Sequence, residues 1–132
     1  MDALTICAAN YLPFAKVLAK SFIENHPNSK FYLLLVDGDV SDVDPRLVSG
    51  MQLVKPSDLD ISSEKFLRMT VYYDVTELST ALKPLGLKYL LDNGSKIAIV
   101  AIIAQNTLKI SVTGDLKVHS ARAATIIEIT SK

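Results

Sequence analysis

Two rhythms of apolar and polar residues alternate along this chain of 132 residues. Residues 3–8 (Ala-Leu-Thr-Ile-Cys-Ala) are almost unbroken in their apolar character, which predicts a buried strand. From Tyr11 onward the spacing changes. Leu12, Ala15, Leu18 and Phe22 recur every three or four positions, with Phe14, Val17 and Ile23 beside them, while Lys16, Lys20 and Glu24 share the opposite side. That period predicts an amphipathic helix over 11–25. Asn10 stands where an N-cap is wanted, Pro13 is tolerated in a first turn, and His26-Pro27-Asn28 ends the helix. A second apolar run over 30–36 predicts another strand, closing at Asp37-Gly38. The opening is therefore βαβ.

Residues 38–63 are looser, punctuated by Asp39, Asp42, Asp44, Pro45, Gly50, Pro56 and Asp58, with one short strand near 51–54. A helix fits 63–73, with Phe66, Met69, Thr70 and Tyr73 on one side. Helical sequence resumes over 76–92, where Pro84 is expected to begin a new helix because it lacks the N–H an interior position needs. Asn93-Gly94 closes it. Residues 96–104 are nearly all aliphatic, as in a central parallel strand covered on both faces. Leu108, Ile110 and Val112 then alternate with polar residues, Thr113-Gly114-Asp115 makes a turn, and Leu116 and Val118 follow. That is a hairpin pattern, and residues 125–130 read as a last strand. The fold class is α/β, a Rossmann-like and mainly parallel sheet with a C-terminal antiparallel β tail. Residues 1–104 form the α/β region, and residues 105–132 form the tail, packed on the same domain.

Charge removes one class of function. Lys and Arg total 14, as do Asp and Glu, so no basic excess points to nucleic acid. Apolar content of 49% with 21% charged residues is that of an ordinary globular protein. The one cysteine, Cys7, lies inside the first strand, where a buried thiol is expected rather than a nucleophile. The longest apolar run, 97–104, is too short to span a bilayer, and the N-terminus lacks a leader pattern, so a cytoplasmic protein is expected.

Four places carry candidate chemistry. The turn Ala8-Ala9-Asn10-Tyr11 follows the first strand, where small residues let the backbone approach a nucleotide base and a tyrosine can stack on it. Its bland reading is a plain strand-to-helix turn. Asp37, just past the second strand, can accept from a base or a ribose hydroxyl, or be only a turn residue. Asp-x-Asp occurs at Asp37/Asp39, Asp42/Asp44 and Asp58/Asp60; the first follows a strong strand, and the other two read as loop and cap residues. Lys83, before Pro84, is a cation that a helix N-terminus would assist in meeting a diphosphate, with Arg68 as a second cation on the preceding helix. The bland reading of both is a solvated side chain. His26 and His119 stand too far apart to suggest zinc, and the glycine-rich dinucleotide and P-loop motifs are absent.

Three segments taken together resemble the nucleotide-binding half of bacterial GT-A-type nucleotide-sugar glycosyltransferases. They are residues 5–22, residues 31–38, and residues 66–84 (Phe-Leu-Arg-Met-Thr-Val-Tyr-Tyr-Asp-Val-Thr-Glu-Leu-Ser-Thr-Ala-Leu-Lys-Pro) followed by Leu87-Lys88-Tyr89-Leu90-Leu91. The match covers residues 3–100, about three quarters of the chain. The resemblance implies that Ala8, Ala9, Asn10 and Tyr11 hold the base, Asp37 the base or ribose, and Lys83 the diphosphate of a nucleotide sugar or nucleoside diphosphate. In the family, the strand matching residues 96–100 leads into an Asp-x-Asp motif whose carboxylates hold Mn²⁺ or Mg²⁺. Here Ala-Ile-Ile-Ala-Gln follows at 101–105, and no carboxylate stands between Asp92 and Asp115. The resemblance also implies an acceptor half, which these 132 residues are not expected to contain. The expectation is a glycosyltransferase-like donor-binding protein, truncated or catalytically impaired, with no metal of its own and no useful sugar transfer. The alternative is a non-catalytic α/β module that self-associates through its C-terminal strands.

Overall fold

Side chains of the first strand, β1 (Asp2–Cys7), divide between two apolar clusters. Ala3 and Cys7 join one, Leu4 joins the other, and Ile6 packs against the second. β2 (Phe31–Leu35) repeats the division, with Phe31, Leu33 and Leu35 in the first cluster and Leu34 in the second. A strand with both faces covered needs apolar residues at every position, which is why the periodicity of two is hidden in a continuous run. A computed structural model describes residues 1–102, 116–121 and 124–130. In it β1 pairs in parallel with β2 and with β4 (Ile97–Ile102), and β2 pairs in parallel with β3 (Gln52–Val54), giving the order β3-β2-β1-β4. Ala3 lies opposite Phe31 and Cys7 opposite Leu35. Two further strands follow, β5 (Leu116–Ala121) and β6 (Ala124–Thr130). The expected hairpin over 108–118 falls largely on residues outside those described.

Helices cover both faces. α1 (Leu12–Asn25) buries Leu12, Ala15, Ala19 and Phe22 on the first cluster. Phe14 and Val17, expected beside that stripe, instead point outward, 59% and 70% exposed. A short helix, α2 (Pro45–Val48), occupies a stretch read as loop; Asp44 caps it by accepting from the Arg46 N–H at 2.9 Å. α3 (Ser63–Tyr72) contributes half-buried Phe66 and Met69 to the second cluster. Thr70 and Tyr73, expected on the same side, are exposed.

The longest helix, α4 (Val75–Asp92), contains Pro84 and does not restart there. Leu78, Leu82, Gly86 and Leu90 are all buried along one face, so packing holds both halves in line. Pro84 itself is exposed, and the carbonyl its missing N–H would have bonded belongs to exposed Thr80, where water is at hand. The start of α4 is fixed by a reciprocal cap: Asp74 accepts from Glu77 N–H at 2.8 Å, and Glu77 accepts from Asp74 N–H at 3.0 Å. Its end is closed as expected. Gly94 adopts φ +94°, its N–H bonds Leu91 O at 3.1 Å, and Ser95 N–H bonds Leu90 O at 3.0 Å.

Asp2 ties three elements together at the amino end of the sheet. One carboxylate oxygen accepts from Lys30 N–H at 2.8 Å, and the other accepts from the Ser95 hydroxyl at 2.5 Å. Because α4 ends beside this tie, its first turns lie toward the carboxyl ends of β1 and β2. No helix among the described residues is long and apolar enough to cross a membrane.

Candidate functional site

β1 and β2 run parallel, so their carboxyl ends emerge at the same edge, and the loops after them meet there. Val36 N–H extends the ladder by bonding Cys7 O at 3.1 Å. Beyond it the carboxylate of Asp37 accepts from the Ala9 N–H at 2.7 Å. Residues 9–11 form one turn of 3₁₀ helix before α1 begins. The first N–H groups of such a turn have no partner inside it. Asp37 supplies one from 28 residues away, acting as a cap from another strand. Gly38, at φ +77°, then carries the chain away through a turn that a side chain would strain.

This arrangement corrects the expected role of Asn10. The cap residue of α1 is Tyr11, no side chain caps it, and Asn10 is exposed within the 3₁₀ turn. The reason is local: the inserted turn moves the start of α1 past Asn10 and places the uncapped N–H at Ala9. Ala8 is buried, packing into the second cluster with Leu34 and Val36. Ala9 is exposed apart from its bond to Asp37. Tyr11 is half-buried and touches both core clusters, so its ring is held in place from below. Its centroid lies 6.2 Å from that of Phe14, with the two planes 46° apart. Ala8, Ala9, Asn10, Tyr11 and Asp37 are thus brought to one edge.

Lys83 is elsewhere. It sits in the middle of α4, not at a helix N-terminus, so the dipole assistance expected from Pro84 is absent. It lies eight residues past Val75, roughly 12 Å down the helix at 1.5 Å per residue. Helical side chains tilt toward the N-terminus of their helix. Lys83 is half-buried, and desolvation pulls its ammonium below its ordinary pKa. No ion pair joins it to the other candidate residues among those described. Arg68 is paired with Glu64 at 2.5 Å, one helical turn away.

The acidic pairs serve local structure. Asp39 accepts from Ser41 N–H at 3.0 Å, which holds its carboxyl below the usual range. Asp44 caps α2, and Asp58 accepts from Lys55 N–H at 2.8 Å. Asp60 lies 3.3 Å from Lys88. Among the described residues no group of three or more His, Cys, Asp or Glu side chains that could hold a metal is gathered. Cys7 ends β1 beneath the same edge. Burial, with the nearby Asp37 carboxylate, pushes its thiol up to about 12, favouring the protonated form.

Phe14 is the residue that sequence pattern did not single out. It stands exposed in the first turn of α1, its ring 6.2 Å from that of Tyr11. The available signal was its place off the stripe Leu12, Ala15, Ala19 and Phe22.

No family model matches the chain, and no curated protein matches it. Among solved structures, it is similar to an active-site mutant of LgtC over 76% of this chain, at 15% identity and a TM-score of 0.46. The match spans 36% of the length of that chain.

Proposed function

We propose that this chain is a GT-A-like domain that binds a nucleotide sugar or nucleoside diphosphate at the carboxyl edge of β1 and β2. The observation that carries the reading is the bond from Ala9 N–H to Asp37 at 2.7 Å, which unites two separately selected sequence features into one site. Ala8 and Ala9 offer a close backbone approach, Tyr11 offers a fixed ring face, and Asn10 an exposed amide. Asp37 spends one oxygen on Ala9 and keeps the other for a base or ribose donor. Lys83 reaches toward the diphosphate from within α4. The sequence segments resembling GT-A-type glycosyltransferases support the same assignment.

The domain binds a donor without transferring its sugar. Charge building on a departing diphosphate must be neutralised, the sequence offers no carboxylate between Asp92 and Asp115 to hold a metal there, and Lys83 sits in mid-helix without a helix N-terminus behind it. β5 and β6 act as a β-rich tail on the same domain. In support, β6 runs antiparallel to β4 with Ile97 opposite Thr130, and β5 runs antiparallel to β6 with Leu116 opposite Ile129. Titration calorimetry with UDP, GDP and their sugars tests the binding reading. Saturable heat with one nucleotide family is the expected result, and silence at millimolar ligand contradicts it. Metal-dependent release of nucleoside diphosphate from a donor would contradict the non-catalytic part.

One observation favours a second reading, an interaction module that pairs with its own copy. Among the described residues β5 stands last in the strand order, and an edge strand offers backbone groups to another chain. Light scattering distinguishes the two: a strict monomer at high concentration removes this reading.

A further inference from the structure

An exposed aromatic ring beside a second, fixed ring offers a planar ligand a surface to stack on. Phe14 is 59% exposed, although Leu12 and Ala15 on either side are fully sequestered. Among the described residues its ring neighbour is Tyr11, 6.2 Å away and tilted by 46°. The two differ in kind: Tyr11 is pinned by the core on both sides of the sheet, and Phe14 is open. Both stand at the end of β1 where Asp37 reaches Ala9, so aromatic faces and a hydrogen-bonding carboxylate share one edge.

We infer that Phe14 is a binding residue, the second half of an aromatic wall on which the base of the ligand rests. The inference depends on the nucleotide reading above and adds a contact that reading does not contain. A planar base lying flat on one ring meets the other partly edge-on, the arrangement that π-systems favour at such a tilt. Asp37 then meets the donors at the rim of the base or on the ribose. The contact falls on the base, so it strengthens nucleotide binding without affecting phosphate.

Val17 provides an internal control. It is 70% exposed and lies one turn further along the outward side of α1. A protein segment, or a second copy, laid along that side would use Phe14 and Val17 together. A base confined to the edge uses Phe14 alone.

The test is calorimetric titration of the full chain with UDP, GDP and inorganic pyrophosphate, the last as a probe lacking a base. Phe14→Ala and Phe14→Leu should weaken nucleotide binding about fivefold to a hundredfold, the range of one lost base–aromatic stack. Phe14→Tyr should keep near-native affinity, Val17→Ser should change nothing, and any pyrophosphate binding should be the same in all. Phe14→Leu preserves apolar bulk, so its loss of affinity cannot be assigned to misfolding, which a thermal melt checks directly. If the unaltered chain binds nucleotide and Phe14→Ala binds as tightly, the wall is wrong and the nucleotide site stands. If the unaltered chain binds no nucleotide, both fail. Equal losses from Val17→Ser, or a change in oligomeric state on light scattering with Phe14→Ala, would assign the strip to a protein partner and overturn the inference.

Discussion

Cys7 and Asp37 show how one position sets chemistry at the carboxyl edge of the sheet. The Cys7 thiol is raised from its ordinary 9.0 to about 12, first by burial and then by the Asp37 carboxylate. Below pH 9 it is protonated folded or unfolded and contributes no pH dependence. Between 9.0 and about 12 the unfolded chain ionises while the folded chain resists, so stability should fall across that window. Denaturant titrations of the protein and of Cys7→Ala at several alkaline pH values check this: the variant should lose the part of the slope due to the thiol. Native Cys7 should also resist alkylation at pH 8 and react once the chain is unfolded. Fast labelling of native protein would show that the thiol is not sealed. Asp37 acts at the same edge through geometry. Its bond to Ala9 crosses 28 residues, which no local pattern displays. Sequence reading therefore found both partners and missed their relation, assigning the cap to Asn10 because Asn beside a helical period is a good local cap.

Elements were legible where one period dominates. β1, β2, α1 and α3 lie within a residue or two of their expected bounds because their apolar spacing is unambiguous. α4 was less legible because Pro84 gives a strong local stop signal, which the buried row Leu78, Leu82, Gly86 and Leu90 overrides. That conflict has a measurable consequence. An interior proline costs about 3 kcal/mol against alanine, and its restriction of the unfolded chain returns up to about 1 kcal/mol. Pro84→Ala should therefore raise stability by about 2 kcal/mol in a denaturant melt; no gain would mean that α4 bends to accommodate the ring. Gly86 gives the opposite result. A Cβ there would run into Leu4 Cδ2, where α4 crosses β1. Gly86→Ala should destabilise by about 1–3 kcal/mol through overpacking, despite the better helix propensity of alanine. α2 escaped notice because four residues are too few to show a period, although Asp44-Pro45 was a readable start.

At the scale of the molecule, the parallel strands β3-β2-β1-β4 lie between helices, tied at one end, while the loops after β1 and β2 meet at the other. Asp2 makes the tie, accepting from Lys30 and Ser95 and so joining the starts of β1 and β2 to the exit of α4. Asp2→Ala should cost about 2 kcal/mol and Ser95→Ala about 1 kcal/mol, typical of lost charged hydrogen bonds. Combined, they should cost less than their sum, because each removes the same bond. A melt of the double variant checks the shared term. This end of the fold was not visible in the sequence, since Asp2 and Ser95 stand 93 residues apart. The opposite end was visible in its parts, because ligands of open α/β sheets gather outside the carboxyl ends of strands. The central claim is that those parts make one nucleotide site. Its most direct test is a titration of ¹⁵N-labelled protein with UDP and GDP, followed by amide resonances. Saturable shifts concentrated at Ala9, Asn10, Tyr11, Phe14, Asp37 and Gly38 are the expected result. Shifts absent there, or gathered on α3, would contradict the account.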